Sequence, residues 1–445
     1  CTEAGQIEKA VGLWGKAGQR SLQRSALVEA VEQFKRALAQ IAVLPSTPAL
    51  RRIQINLQVA LITPLFHVRG YGALETKAAV EQARLLLEQA DVSGETLEDP
   101  LLLYSVLFGF FVANFNTFNG DVCRDLAAQF LELAEKQRAS YPLVVGHNIL
   151  GAALLLRGDS AEARAHFDQG IALYDPAQHR PLATRFGEDH RVVSFCWRSC
   201  ALWLVGYPET ARADVDQAFK DARESGHAVS LIWALSHACF IEILCGNYRT
   251  ANARVDEFIT LTDEKDAAWW RTIGMLNRGL LLGLTGLASD AVQMISSGLT
   301  TRRSMGSIWF DPMWLSALAS AQAALGQFDD AWRCIVEAMT AIQTTGERWF
   351  EAEVNRIAGE IALKSPKPDT AKAEAYFERA LSIARQQQAR SWELRAAMSM
   401  TRLWRDQGKR DEARDLLAPV YGWFTEGFDT LDLKEARALL DELVS

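Results

Sequence analysis

Gly326-Gln-Phe-Asp-Asp-Ala331-Trp-Arg-Cys-Ile335-Val-Glu-Ala338 decides the fold. Gly326 can end a helix in the left-handed conformation, which costs other residues a Cβ clash. Asp329 and Asp330 suit the positive end of the helix that follows, and Ala331, Ile335 and Ala338 fall at i, i+4 and i+7 on one face. The stretch therefore reads as helix, tight turn, helix. The same spacing, a Gly five residues before an Ala, recurs at Gly5/Ala10, Gly158/Ala163, Gly206/Ala211, Gly246/Ala251, Gly286/Ala291 and Gly408/Ala413. Two antiparallel helices approach closely only where side chains are short, and Ala keeps the helix propensity that Gly would lose. From Ala251, the anchors Ala291, Ala331, Ala373 and Ala413 follow at 40, 40, 42 and 40 residues. Such a period means stacked hairpins, each covering its neighbour's apolar face.

Working outward, the N-terminal part gives the tetratricopeptide pattern itself. Measured from Ala30, Trp14 and Gly18 lie 16 and 12 residues before, and Phe34 and Ala37 lie 4 and 7 after. Pro45 and Pro48 punctuate a loop, and Gly70-Tyr-Gly72 interrupts the next pair of helices. Residues 1–135 read as less regular hairpins, 136–225 as middle hairpins with an insertion at 175–191, and 226–445 as regular hairpins of about 40 residues with a cap. The whole chain is thus expected to be one all-α, TPR-like superhelix of about ten hairpins. A final helix with Leu433, Ala436, Leu439, Leu440 and Leu443 on one face is expected to close the stack.

Length and composition fit this reading. The chain has 445 residues, more than a single compact core usually holds, yet no Pro/Gly/Ser-rich linker divides it. A net charge of −8 argues against a nucleic-acid surface. Seven cysteines, mostly inside apolar helical stretches, read as reduced thiols of a cytoplasmic protein. The longest uncharged apolar run, Leu101 to Ala113, is shorter than the ~20 residues a membrane-spanning helix needs and is expected to be a buried helix. Gly5 to Ala10 resembles the turn and second helix of a hairpin whose first helix would precede Cys1, so the chain is expected to belong to a longer polypeptide.

No reaction is written in these residues. Gly12-Leu-Trp-Gly-Lys16 lacks both the earlier glycine and the Ser or Thr after lysine that a phosphate-binding loop requires, and it sits within a helical repeat. Cys196, Cys200, Cys239 and Cys245 lack zinc-ligand spacing and read as buried thiols. Neither a Gly-x-Ser-x-Gly elbow nor a His-Glu-x-x-His helix is present, so no cofactor, metal or catalytic residue is assigned to this chain. Insertions in solenoids map to loops on one face, often the binding face. His179, Arg180, Asp189 and His190 in the insertion are therefore candidate partner or ligand contacts, weighed against a loop that satisfies its own polar groups. Among thirteen tryptophans most are expected in the core, while Trp233, Trp269 and Trp309 are candidates for an inner wall that anchors a peptide or a segment of another domain.

Three stretches carry a family resemblance: Tyr174-Asp-Pro-Ala-Gln-His-Arg180 with Gly206-Tyr-Pro-Glu-Thr-Ala211; Thr345-Gly-Glu-Arg-Trp349-Phe-Glu-Ala-Glu353; and Leu416-Leu-Ala-Pro-Val-Tyr421-Gly-Trp-Phe-Thr-Glu-Gly-Phe-Asp-Thr430. Over essentially its whole length the chain resembles the C-terminal tetratricopeptide region of bacterial multidomain adenylate/guanylate cyclases. In that family a class III cyclase domain and a P-loop, STAND-type ATPase module precede the repeats. The resemblance implies a regulatory, protein-interaction role, with ATP and Mg bound only by domains upstream. It further implies a partner that is a protein, a peptide or those upstream domains, and neither nucleic acid nor membrane. Related repeats also follow ATPase modules in transcriptional regulators, and a free-standing peptide-binding scaffold is the third reading.

Overall fold

The computed structural model describes residues 7–44, 47–94 and 99–444. Cys1, Gly5 and Pro45, named above, lie outside the described residues. The first four hairpins pair α1 (Ile7–Gln23) with α2 (Leu27–Ile41), α3 (Pro48–Arg69) with α4 (Leu74–Val92), α5 (Leu101–Phe115) with α6 (Gly120–Gln137) and α7 (Ser140–Arg157) with α8 (Ser160–Leu173). Residues 175–191, expected to be irregular, instead form the short helices α9 (Pro176–His179) and α10 (Ala183–Phe186), joined by the 3-10 turn Arg180–Leu182. Asp175 and Asp189 accept hydrogen bonds from Ala177 N and Arg191 N, which starts a helix at each end of the segment.

Six more hairpins follow. They pair α11 (His190–Leu204) with α12 (Pro208–Ser225), α13 (Ala228–Leu244) with α14 (Tyr248–Glu264), and α15 (Ala268–Leu284) with α16 (Ala288–Ser304). The last three pair α17 (Asp311–Ala324) with α18 (Phe328–Thr345), α19 (Glu351–Lys364) with α20 (Thr370–Gln386), and α21 (Arg390–Asp406) with α22 (Arg410–Gly422). The capping helix α23 (Leu431–Val444) ends the described chain. The architecture is an all-helical, TPR-like solenoid.

The small-residue rule holds in detail. Gly158, Gly206, Gly246, Gly286, Gly326 and Gly408 all take positive φ, and Ala163, Ala211, Ala251, Ala291, Ala331 and Ala413 are all fully buried. Within hairpins the fit is tighter still. A Cβ on Gly359 of α19 would lie 2.4 Å from the ring of the fully buried Phe377 on α20. Outer helices bury only a stripe, as in α18 with Ala331, Cys334, Ile335, Ala338 and Ile342. Inner helices such as α7 and α13 are buried nearly all round, which a single layer of hairpins does not explain.

The explanation is a second contact, between turns of the superhelix. Ile308 N and Trp309 N donate to Asn116 O at the end of α5, and Arg348 N and Trp349 N donate to Leu156 O near the end of α7. Ser391 Oγ donates to Trp203 O near the end of α11, and Leu431 N donates to Cys245 O just after α13. Each contact joins residues 186 to 193 positions apart, so each hairpin meets the fifth element pair after it. A helix leaves its last carbonyls unpaired at its negative end, whereas the residues entering the next inner helix offer N–H groups at a positive end. The two needs cancel across the seam. Closest of all are Gly72 and Gly306, where a Cβ on Gly72 would lie 2.0 Å from the Gly306 carbonyl oxygen.

Two outcomes test this packing. Gly359→Val drives a branched side chain into Phe377 and is expected to lower the free energy of unfolding by ~1–3 kcal/mol, read from urea denaturation. Gly72→Val acts on the seam alone: circular dichroism is expected to keep its helical signal while small-angle X-ray scattering shows a larger radius of gyration. An unchanged radius would mean that the turns do not depend on this contact.

Candidate functional site

The seam brings together aromatic residues that the chain scatters. Trp269, Trp309, Trp349 and Trp392 each enter an inner helix of the second turn and meet the first. Trp269 and Trp309 lie parallel, with ring centroids 5.9 Å apart, and Trp309 packs on Phe115 of α5 and on Trp197 of α11. Tyr71, beside the end of α3, meets the edge of Trp269 at 4.9 Å. Trp233 of α13 joins through Trp270 at 4.8 Å. Between these rings lies a cavity of about 50 Å³, lined among others by Phe66, Phe108, Asn148, Trp197, Trp233 and Trp309. A second cavity of about 30 Å³ shares Trp233, Trp269 and Trp309 with it and extends to Trp314. Each holds a few water-sized spheres.

Few polar groups enter this chamber, and the apolar walls set their chemistry. Glu188 accepts a hydrogen bond from Trp233 Nε1 at 2.7 Å. Burial nevertheless raises its carboxyl from the ordinary 4.5 to about 8, because ionisation in this setting lacks solvent. His67 lies against Trp270 Nε1 at 3.2 Å and Tyr71 Oη at 3.3 Å, and burial, reinforced by His227, lowers its imidazolium to about 3. His190 faces Asn148 Oδ1 at 3.4 Å and is likewise held neutral by burial. His190 Nε2 and the indole nitrogens of Trp269, Trp309 and Trp314 are buried without a protein hydrogen-bond partner, at a cost of about 1–3 kcal/mol for each one left unmet. At neutral pH the site is uncharged, aromatic and rich in donors.

The residues singled out from sequence fall into two groups. Trp233, Trp269 and Trp309 do come together, at the chamber, and all three are buried. They face the axis of the superhelix, but the second turn covers what would otherwise be an open inner wall. His179, Arg180, Asp189 and His190 gather around two tyrosines. His179 packs on Tyr141 and Tyr174, and Asp189 accepts a hydrogen bond from Tyr174 Oη at 3.0 Å. His179, Asp189 and His190 are buried; Arg180 is half-exposed, near Glu224 at 3.8 Å. The segment is anchored on the first turn, where Thr63 Oγ1 donates to Arg185 O and Arg185 pairs with Asp99. It is a plug against the start of α11, and of the four only Arg180 reaches solvent.

Glu188, His67 and Tyr71 were not reached by sequence reasoning. Glu188 sits one residue before Asp189 and His190, which were noted, and lacked any pattern of its own. A signal for the seam was present, since Trp269, Trp309 and Trp349 are spaced by 40 and 40 residues, the period of the alanine anchors. The six described cysteines are free and buried, and no group of three or more His, Cys, Asp or Glu converges among the described residues. No helix among them is long and apolar enough to cross a membrane.

No protein-family model matches the chain. Over 408 residues it is 24% identical to Uncharacterized protein R02095 of Rhizobium meliloti (strain 1021), covering 90% of this chain. The chain spans 38% of the length of that curated relative. Among solved structures it is similar to a Rap protein complexed with competence and sporulation factor, with a TM-score of 0.58 at 12% identity, covering 86% of this chain and 99% of the other. The Rap conjugation gene regulator of plasmid pLS20, in complex with a Phr peptide, gives a TM-score of 0.49 at 10% identity, over 90% and 97% of the two chains. The first of these likenesses places the fold among TPR-like helical repeat proteins.

Glu188 gives the chamber a pH signature. An acid whose folded value lies above its unfolded one binds more protons in the native state between the two, so stability falls as pH rises through that window. Relative to Glu188→Gln, the natural chain is expected to lose stability between about pH 4.5 and pH 8 and then run parallel to the variant, read from urea denaturation across pH. Parallel curves throughout would place Glu188 in contact with solvent.

Proposed function

We propose that this chain is a non-catalytic regulatory and protein-interaction region of a larger, cytoplasmic, ATP-dependent signalling protein, in the first place a class III adenylate/guanylate cyclase. The observation that carries the reading is the seam: the residues fit to grip a partner, Trp233, Trp269 and Trp309, come from both turns and are covered by them. A peptide or protein segment that reaches them parts the turns. Binding and the pitch of the superhelix are then one equilibrium, and a partner with higher affinity for the parted state shifts it. A region tied to an ATPase module and a cyclase domain transmits that shift as a change in catalysis upstream.

Three supports converge on this. A helical repeat protein of similar fold is complexed with competence and sporulation factor, a precedent for such a scaffold holding a signalling ligand. The curated relative extends well beyond the matched segment, as a region of a multidomain protein requires. The three motifs that resemble the cyclase family include Thr345 to Glu353, which enters the seam at Arg348 and Trp349. ATP and Mg belong to the upstream domains in this reading, and the partner is a protein, a peptide or those domains.

The coding sequence upstream of residue 1 is the direct test. A class III cyclase domain followed by a P-loop module supports the reading; a helix-turn-helix domain in its place makes the chain the sensor region of a transcriptional regulator. The chain alone is expected to turn over neither ATP nor GTP with Mg, measured by cyclic-nucleotide and phosphate release. In the full-length protein, Trp309→Ala is expected to alter the regulation of cyclase activity while the isolated catalytic domain keeps its basal rate.

A further inference from the structure

Another hollow opens where the two turns meet, and it shares no lining residue with the aromatic chamber. It is a cleft of about 450 Å³. One wall comes from the first turn, with Arg164 and Asp168 of α8 and Tyr207 just before α12; the other comes from the second, with Gln388 and Arg390 at the start of α21 and Trp423 just after α22. Small-molecule sites span roughly 300–1,000 Å³, a range the cleft reaches and the chamber's cavities do not.

Four side chains cross the cleft in a row. The Arg164 guanidinium lies over Tyr207 at 5.4 Å, Tyr207 meets Trp423 edge-on at 5.6 Å, and the Arg390 guanidinium lies over Trp423 at 5.3 Å. Most of the hydrogen-bonding capacity here is that of donors, and little of it is used. Asp168 is 3.8 Å from Arg164, beyond hydrogen-bond distance, because its carboxylate is held at 2.7 Å by Arg198. Arg390 gives one N–H to Glu393 at 2.6 Å. The Tyr207 hydroxyl, the Gln388 amide and the Trp423 indole N–H make no hydrogen bond with another described residue. Through the ion pairs that reach the cleft, Arg164, Arg198, Arg385 and Arg390 face Asp168, Asp214 and Glu393, four positive charges against three negative in a chain whose net charge is −8.

We infer that this cleft is a binding site for a small organic acid, with its oxyanion on the Arg164 guanidinium and its apolar body along Ala161, Ala165 and the rings of Tyr207 and Trp423. A guanidinium without a close partner offers two parallel N–H groups to a carboxylate or a phosphate, and the neighbouring hydroxyl and indole N–H suit the same oxygens. A cationic ligand meets the surplus charge with its own sign, and a neutral one leaves the Arg164 fork without an acceptor of matching charge. The walls belong to different turns, so a bound acid ties α8 to the start of α21. The cleft and the chamber have no residue in common, so this inference and the proposed function fail separately.

The test uses the complete chain and three probes of similar size: 3-phenylpropionate, phenyl phosphate and the neutral 3-phenylpropionamide, each titrated by saturation-transfer NMR at low salt. At least one acid is expected to bind with a Kd below roughly 1 mM and about tenfold tighter than the amide, the loss expected of one charge-assisted contact. The tighter of the two acids tells whether the oxyanion is a carboxylate or a phosphate. Arg164→Gln is expected to weaken that acid about tenfold and Tyr207→Phe by a smaller factor, while Arg333→Gln, at an exposed arginine of α18, leaves it unchanged. The Arg164 side chain is 42% exposed and Tyr207→Phe removes a single hydroxyl, so both variants are expected to keep the melting curve of the parent. The comparison of acid with amide needs no variant and decides the matter even where one fails to fold. Acids that bind no tighter than the amide, binding that ignores Arg164→Gln in a folded variant, or no acid binding below about 1 mM overturns the inference.

Discussion

The structure depends on the meeting of one helix end with one helix start across a full superhelical turn. An isolated hairpin stack is held by nearest neighbours, and its helix termini look to water for hydrogen bonds. Here the carbonyls of Asn116, Leu156, Trp203 and Cys245 are met by groups from the fifth hairpin onward. The axis is thereby closed by protein, and the rest goes with that closure: large flat side chains where the turns meet, glycines where backbone touches backbone, and buried carboxyls and imidazoles that lose their charge.

The last of these follows from simple electrostatics. Glu188 and Glu347 sit in walls of tryptophan and phenylalanine, and burial raises both carboxyls to about 8. Each keeps hydrogen-bond donors in place: Trp233 Nε1 on Glu188, and Phe310 N and Trp349 Nε1 on Glu347. Near Glu347, the fully buried Arg302 lies 3.5 Å from Asp311, whose other oxygen is held by Arg303. A buried pair of this kind stabilises little in net terms, but removing one partner leaves the other's charge in an apolar setting. Each of these contacts joins neighbouring elements of one turn, so they order the helices within a turn more than they add to the free energy of folding.

How much of this the sequence made legible depends on the range of the interaction. Gly326 and Ala331 act within one hairpin, so their spacing revealed the turn, the helix pair and the repeat. The capping helix was readable for the same reason, from the stripe Leu433, Ala436, Leu439 and Leu443. Trp269 and Trp309 could be named as inner-wall residues but not as seam residues, because their partners Tyr71, Phe115 and Trp197 lie far along the chain and obey no common period. The 175–191 segment misled in the opposite sense. Its prolines and its polar residues suggest an open loop, yet His179, Asp189 and His190 turn inward because Tyr141, Tyr174 and Phe186 give them rings to pack on and a hydroxyl to bind.

The seam changes what such a scaffold can do. In an open solenoid a ligand stiffens the repeats it touches, and the effect fades from neighbour to neighbour. When each hairpin also contacts the fifth one along, a wedge at Trp309 disturbs α5 and α11 of the first turn together with α17 of the second. The same contact recurs at Leu156, Trp203 and Cys245, so the seam is a row of like joints and not a single one. On the proposed function, a binding event near the axis becomes a change in pitch along the superhelix, the form of output that a neighbouring domain is able to read.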